Sequence, residues 1–192
     1  VTPAEVPAAY VQRVAQVESG GNPLAKAKTS SATGLFQFTA STWEGLRTEH
    51  PELGLTRGGR LDPVQSERAF RVFTAKNAAG FRRGVGRQPT LSELYLCHFL
   101  GCSGAVQACT IDGSRTVREV FGARVVEANR FLAGWTCAEL RAWARRKVPD
   151  AMPAGSGVQS VAGPLPPPPK PPAGRGGAIA REDRRRQSAD DL

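Results

Sequence analysis

A hydroxyl residue followed three positions later by glutamate recurs along this chain at spacings that suit helices. The instances are Thr2-Pro-Ala-Glu5, Ser41-Thr-Trp-Glu44, Thr90-Leu-Ser-Glu93, Thr116-Val-Arg-Glu119 and Thr136-Cys-Ala-Glu139. Each has the form of a capping box, in which the hydroxyl accepts from the amide three residues on and the Glu carboxylate accepts from the cap amide. Asp62-Pro63-Val64-Gln65 adds a sixth start, with Asp as cap and Pro at the first helical position. One such match carries little; six in succession predict an all-α, mainly helical domain.

Apolar spacing agrees. Val6, Tyr10, Val14 and Val17 form one stripe of an amphipathic helix. That helix must stop at Ser19-Gly20-Gly21-Asn22-Pro23, because two glycines and a proline cannot extend it. After Asp62, the residues Val64, Ala69, Val72, Phe73 and Ala79 predict a long helix ending at Gly80. Leu91, Leu94, Tyr95, Phe99 and Leu100 line another, and the last, begun at Thr136, should end at Val148-Pro149. A short β-hairpin between 48 and 61 is the one strand feature the pattern allows, and no internal repeat is found.

From Ala151 the composition changes to GPLPPPPKPPAGRGG and REDRRRQSADDL, almost without large apolar side chains. Such a segment cannot bury enough surface to offset its ordering entropy. The expected organisation is a folded domain over residues 1–148 and a disordered, Pro-rich tail over 149–192. The net charge of +9 divides into +7 up to Asp150 and +2 beyond it, so the folded part is itself basic and suits a polyanionic partner. No basic cluster interleaved with aromatics or nucleic-acid motif appears, which argues against nucleic acid.

Cys97, Cys102, Cys109 and Cys137 lack the paired spacing of a zinc site, and His50 and His98 are the only histidines, so no metal is expected. Two disulfides in an oxidising compartment are predicted instead. Three pairings exist; loop length favours Cys102–Cys109 with Cys97–Cys137. No apolar run is long enough to span a bilayer. The chain begins at Val1 rather than Met, which suits a removed export signal or a trimmed terminus.

Glu18 is the first candidate for chemistry. It stands on the last turn of its helix, just before the Gly-Gly-Asn-Pro break. The carbonyl end of a helix disfavours an ionised carboxylate and raises its pKa. A carboxyl kept protonated near neutral pH is what a general acid requires.

The order Val17-Glu18-Ser19-Gly20-Gly21-Asn22-Pro23, then Ser31-Ala32-Thr33-Gly34-Leu35-Phe36-Gln37-Phe38, then Ser41-Thr42-Trp43, resembles the soluble lytic transglycosylase (SLT) family, relatives of goose-type lysozyme. The likeness is strong from Val14 to Trp43, moderate to Arg68, and fades toward Ala144. It implies a lysozyme-like fold, Glu18 as sole catalytic acid and base, and a saccharide cleft involving Ser31, Gly34, Leu35, Gln37 and Phe38. The family's third motif, A-Y-N-A-G-x-G-A-V, has its counterpart in His98-Phe99-Leu100-Gly101-Cys102-Ser103-Gly104-Ala105-Val106. There the tyrosine that approaches the catalytic Glu falls on Phe99, which has no hydroxyl. Tyr95, one turn earlier on the same face, and His98 are the two substitutes, and Tyr95 and Phe99 are counted with the substrate-binding residues of the cleft.

The resemblance implies cleavage of the MurNAc-β-1,4-GlcNAc bond of peptidoglycan strands to 1,6-anhydroMurNAc ends, without cofactor or metal, by a monomer acting in the periplasm or after secretion. Two alternatives stand beside it. A hydrolytic muramidase of the same fold would need a second acid, for which Glu44, Glu49, Asp62, Glu67 and Glu93 are present. A non-catalytic wall-binding or assembly protein would tolerate the altered third motif. The tail, with its polyproline stretch and Arg184-Arg185-Arg186, offers a docking segment for a protein partner, as local wall opening by a flagellar, pilus or secretion assembly would need.

Overall fold

The computed structural model describes residues 1–151; the expected tail, with its Pro-rich and Arg-rich segments, lies outside the described residues from 152 onward. Eight α-helices make up the described part: α1 Ala8–Ser19, α2 Ala40–Glu49, α3 Pro63–Val85, α4 Leu91–Leu100, α5 Cys102–Thr110, α6 Val117–Phe121, α7 Ala123–Ala128 and α8 Cys137–Lys147. The mainly helical class is as expected. Among the described residues β structure is confined to isolated bridges: Lys26 with Thr33, Thr33 with Phe38, and Thr116 with Thr136. The hairpin allowed between 48 and 61 does not form. Two short 3-10 turns, Pro51–Leu53 and Gly59–Leu61, occupy that stretch, the first set by proline and closed by left-handed Gly54.

The helix starts follow the capping chemistry with one exception. The amides of Thr2, Thr90, Thr116 and Thr136 each donate to the Glu three residues on, at 2.6–2.8 Å. Asp62 accepts from the amides of Val64 and Gln65 at the head of α3. The exception is Ser41. The cap of α2 is Thr39, whose hydroxyl accepts from the Thr42 amide, while Glu44 pairs with Arg47. Thr39 is fully buried, so its hydroxyl is drawn to the nearest free amide.

The Thr2 box opens only the 3-10 turn Pro3–Glu5; α1 itself starts after Pro7. α3 does not stop at Gly80 but continues to Val85 and ends on left-handed Gly86. A Cβ at Gly80 would press on Cys102 Sγ, and one at Gly84 on the Val106 side chain. These glycines therefore let α5 lie close against α3, and helix packing outweighs their low helix propensity.

The core forms around α3, which turns Ala69, Phe70, Thr74, Ala78 and Phe81 inward, and α4, buried from Leu94 to Phe99. A helix apolar on every side belongs in the middle of a domain. α4 packs on α3, α5 and α8, and this arrangement brings its Tyr95 and His98 against the end of α1. Val64, expected in the stripe of α3, is 65% exposed.

The expected disulfides are absent: all four cysteines are free thiols. Cys102 and Cys109 lie on the same helix, α5, seven residues apart. A rise of about 1.5 Å per residue sets them about 10 Å apart, beyond disulfide reach. The neighbour of the Cys97 thiol is Cys102, not Cys137. The Cys102 thiol also donates to the Asn77 carbonyl at 3.5 Å.

Candidate active site

The end of α1 is shaped by its own sequence. Gly20 and Gly21 both take left-handed backbone angles (φ 65° and 78°), and their amides donate back to the carbonyls of Gln16 and Ala15. Only glycine does this twice in a row without strain. The Ser19 hydroxyl donates to the Ala15 carbonyl at 2.9 Å, and Asn22 Oδ1 accepts from the Leu24 amide at 2.9 Å to turn the chain again. Glu18 is thus held on the final turn, facing inward.

Its side chain is 9% exposed. Tyr95 of α4 donates its hydroxyl proton to Glu18 Oε1 at 3.0 Å. Burial raises the Glu18 pKa to about 7; the Tyr95 hydrogen bond and the positive charge of Lys147 pull the other way. Burial is the largest cause, and part of it comes from Tyr95 of α4, distant in sequence. A carboxyl with that pKa can hold a proton near neutral pH and also release it.

Beside it stands His98. Its ring is enclosed by Phe38, Phe70, Phe73 and Tyr95, with centroids 5.7–6.4 Å away. Burial drives its pKa down to about 4, against the pull of the Phe36 carbonyl, so it is neutral at pH 7. Neither ring nitrogen reaches hydrogen-bond geometry with another described group, and Nε2 lies 3.9 Å from Glu18 Oε1. The buried Tyr10 hydroxyl is also without a hydrogen-bond partner among the described residues, and burial, with the nearby Cys97 and Glu18, pushes its pKa well up, so it stays protonated. Periodicity alone marked Tyr10 as a core residue, which hid the polar end of the ring.

The loop from 22 to 39 is built to hold one shape. Gly34 has φ 82°, and a Cβ there would collide with the Arg60 carbonyl. Gln37 is buried at φ 49°, and its amide nitrogen donates to the carbonyls of Gly34 (2.9 Å) and Ala25 (3.3 Å). Phe38 is fully buried and packs on Trp43, Phe73 and His98. Ser31 is exposed, and its hydroxyl accepts from the Ala40 amide at 3.0 Å. Arg60 clamps both ends, donating to the carbonyls of Ser31 (2.6 Å) and Phe38 (3.2 Å). No motif pointed to Arg60. Leu35 is half-buried against the core.

Tyr95, of the two substitutes named for the displaced tyrosine, is the one that bonds Glu18. Phe99 points elsewhere, packing 4.8 Å from Trp143 and 6.1 Å from Phe131. A groove of about 1040 Å³ between α2, α3 and α5, with Ser41, Phe73, Asn77 and Ser103 in its walls, does not include Glu18. Phe73 stands between them, lining the groove and meeting the His98 ring edge-on. Among the described residues no group of His, Cys, Asp and Glu is placed to hold a metal ion, and no helix is long and apolar enough to cross a membrane.

Residues 2–70 match the Transglycosylase SLT domain family, which is consistent with the soluble lytic transglycosylases. The matched segment contains Glu18, the clamped loop and Arg60; Tyr95, His98 and α8 lie beyond it.

Proposed function

From a chain that carries a transglycosylase SLT domain over residues 2–70, we propose a peptidoglycan lytic transglycosylase in which Glu18 is the single acid and base. The observation that carries this reading is the Glu18 carboxyl itself: nearly buried, oriented by Tyr95, and with a pKa of about 7. Neutral Glu18 donates its proton to the oxygen joining MurNAc to GlcNAc as that bond breaks. The 2-acetamido oxygen of MurNAc shares the positive charge that develops at C1, the part a second carboxylate plays in other glycosidases. Glu18, now ionised, takes the proton from the MurNAc O6, and O6 closes on C1 to give the 1,6-anhydro ring. One proton leaves Glu18 and one returns. Tyr95 keeps its bond to Oε1 throughout, which leaves Oε2 for the substrate.

A hydrolytic muramidase would need another carboxylate to activate water. The five candidates are each engaged elsewhere: Glu44 with Arg47, Glu49 with Lys76, Glu67 with Arg71, Glu93 with Arg87 and the Thr90 amide, and Asp62 as the cap of α3. Their engagement favours the lyase. In this reading the loop from Ser31 to Phe38 flanks the sugar, with Gly34 and Leu35 near it and Gln37 and Phe38 shaping it from within. The substrate lies outside the cytoplasm, so the action belongs to the periplasm or to the secreted protein.

Digestion of purified peptidoglycan followed by mass spectrometry of the products tests the proposal. Anhydro-muramoyl ends, absent with Glu18→Gln, are expected. Reducing muramoyl ends would make the protein a hydrolase, and no product at all would leave the wall-binding alternative.

A further inference from the structure

Next to the Glu18 cage, side chains from α4, the 3-10 turn Arg130–Leu132 and α8 form a run of aromatic rings that ends in solvent. Trp143 is its hub, 5.6 Å from Tyr95, 4.8 Å from Phe99 and 5.5 Å from Phe131. Trp135 meets Phe131 edge-on at 5.5 Å. Trp135 and Trp143 are half-buried, and Phe131, at 38%, is the only exposed aromatic among the described residues. Anchoring does not account for that exposure. The same turn already sends Leu132, fully buried, into the core, so Phe131 is not needed to fix it. One exposed ring and two half-buried ones beside a polar centre make the mixed apolar and polar lining that a ligand cleft has.

The run is continuous with Glu18. Tyr95 is the joint, its ring against Trp143 and its hydroxyl on the Glu18 carboxyl. Lys147, one turn past Trp143 on α8, is close enough for its charge to act on Glu18. A ligand lying across Phe131 and Trp143 would have the Tyr95–Glu18 pair at one end, where the positive charge of Lys147 also acts. That combination selects a chain of sugars with acidic substituents. The apolar C–H faces of pyranose rings suit the electron-rich faces of aromatic rings, and the lactyl carboxylate of a muramoyl residue suits a lysine.

We propose that Phe131, Trp135 and Trp143 form a glycan-binding platform that stacks the sugar rings on one side of the bond cleaved at Glu18, with Lys147 meeting an acidic substituent. The proposal rests on the reading of Glu18 as a glycan-cleaving acid, and it assigns a binding role to a part of the chain beyond residues 2–70.

The test uses the full chain with soluble glycan strands stripped of stem peptides. Phe131→Ala is expected to raise KM about tenfold, equivalent to about 1.4 kcal/mol, with kcat held within about threefold, as loss of uniform binding dictates. Phe131→Trp should restore KM, which a merely structural role would not require. In Glu18→Gln protein, which binds without turnover, the same glycan should shift the tryptophan emission, with a Kd weakened to the same degree by Phe131→Ala. Wild-type cleavage with KM and Kd unchanged in Phe131→Ala would overturn the platform and leave the role of Glu18 standing. A wild-type protein that neither cleaves nor binds the strands would overturn the reading of Glu18 and the platform with it.

Discussion

Replacing Glu18 by glutamine should abolish glycan cleavage and, above neutral pH, make the protein more stable. The Glu18 pKa is about 7 in the folded chain, against 4.5 for an ordinary glutamate. Each tenfold change in proton affinity corresponds to about 1.36 kcal/mol, so keeping the ionised form buried costs about 3 kcal/mol. Because the folded-state value is raised, the stability contributed by Glu18 is fully present below pH 4.5. It is lost as the pH rises from there through about 7. Glutamine has the shape of the neutral acid and no charge to bury. The difference in unfolding free energy between Glu18→Gln and wild type should therefore grow from near zero at pH 4 to about 3 kcal/mol at pH 8. For a domain of this size that is roughly 6–12 °C in Tm. Urea unfolding of both proteins at half-unit steps of pH measures it, and the subtraction removes every group the two share. A difference that stayed flat with pH would mean that Glu18 ionises as a solvated carboxylate, and both the burial argument and the acid assignment would fail.

Four shorter expectations accompany it. Tyr95→Phe removes a donor that favours ionised Glu18; a bond to a charged group is worth about 1.5–3 kcal/mol. The alkaline limb of kcat/KM against pH should therefore move upward by about one to two pH units, and an unmoved limb would show that the bond has no influence on the acid. Gly34→Ala forces an L side chain into φ 82° and against the Arg60 carbonyl, so thermal melting should report a loss of at least about 2 kcal/mol; unaltered melting would mean that the loop relaxes freely. Peptide mapping of unreduced protein should never find a Cys102–Cys109 link, because both residues sit on α5. Truncation after Ala151 should spare turnover on soluble glycan and the thermal midpoint, since residues 152–192 offer almost no large apolar side chains to pack; a midpoint several degrees lower would refute the domain boundary.

What could be foreseen and what could not divides according to the range of the interactions. Asp62, Thr90, Thr116 and Thr136 announced their helices because a cap and its partner amide lie within four residues. The turn after Glu18 was equally local, two glycines and an Asn bonding to residues within six positions. Ser41 misled because hydroxyls stand at 39, 41 and 42, and only burial selects Thr39 among them. Gly80 misled because the reason α3 continues lies on α5, at Cys102.

Glu18 itself joins the two cases. Its place on α1 is a local property and was legible. Its pKa is not local, since the tyrosine that bonds it stands 77 residues away and the charge of Lys147 comes from α8. The helix terminus predicts the same direction of shift, and burial is its largest cause. The distinction has a consequence for mutation. If the terminus set the pKa, changes in α4 or α8 would leave the acid as it is. Because burial sets it, any substitution that lets water reach the carboxyl, Tyr95→Ala or Trp143→Ala for instance, should lower the Glu18 pKa toward 4.5 and move the alkaline limb of activity to lower pH. Tyr95→Phe, which removes the hydroxyl but keeps the ring and the seal, should move it the opposite way. Opposite shifts from two substitutions at the same residue are what burial requires; shifts of one sign at Tyr95 would mean that the ring does not seal the site.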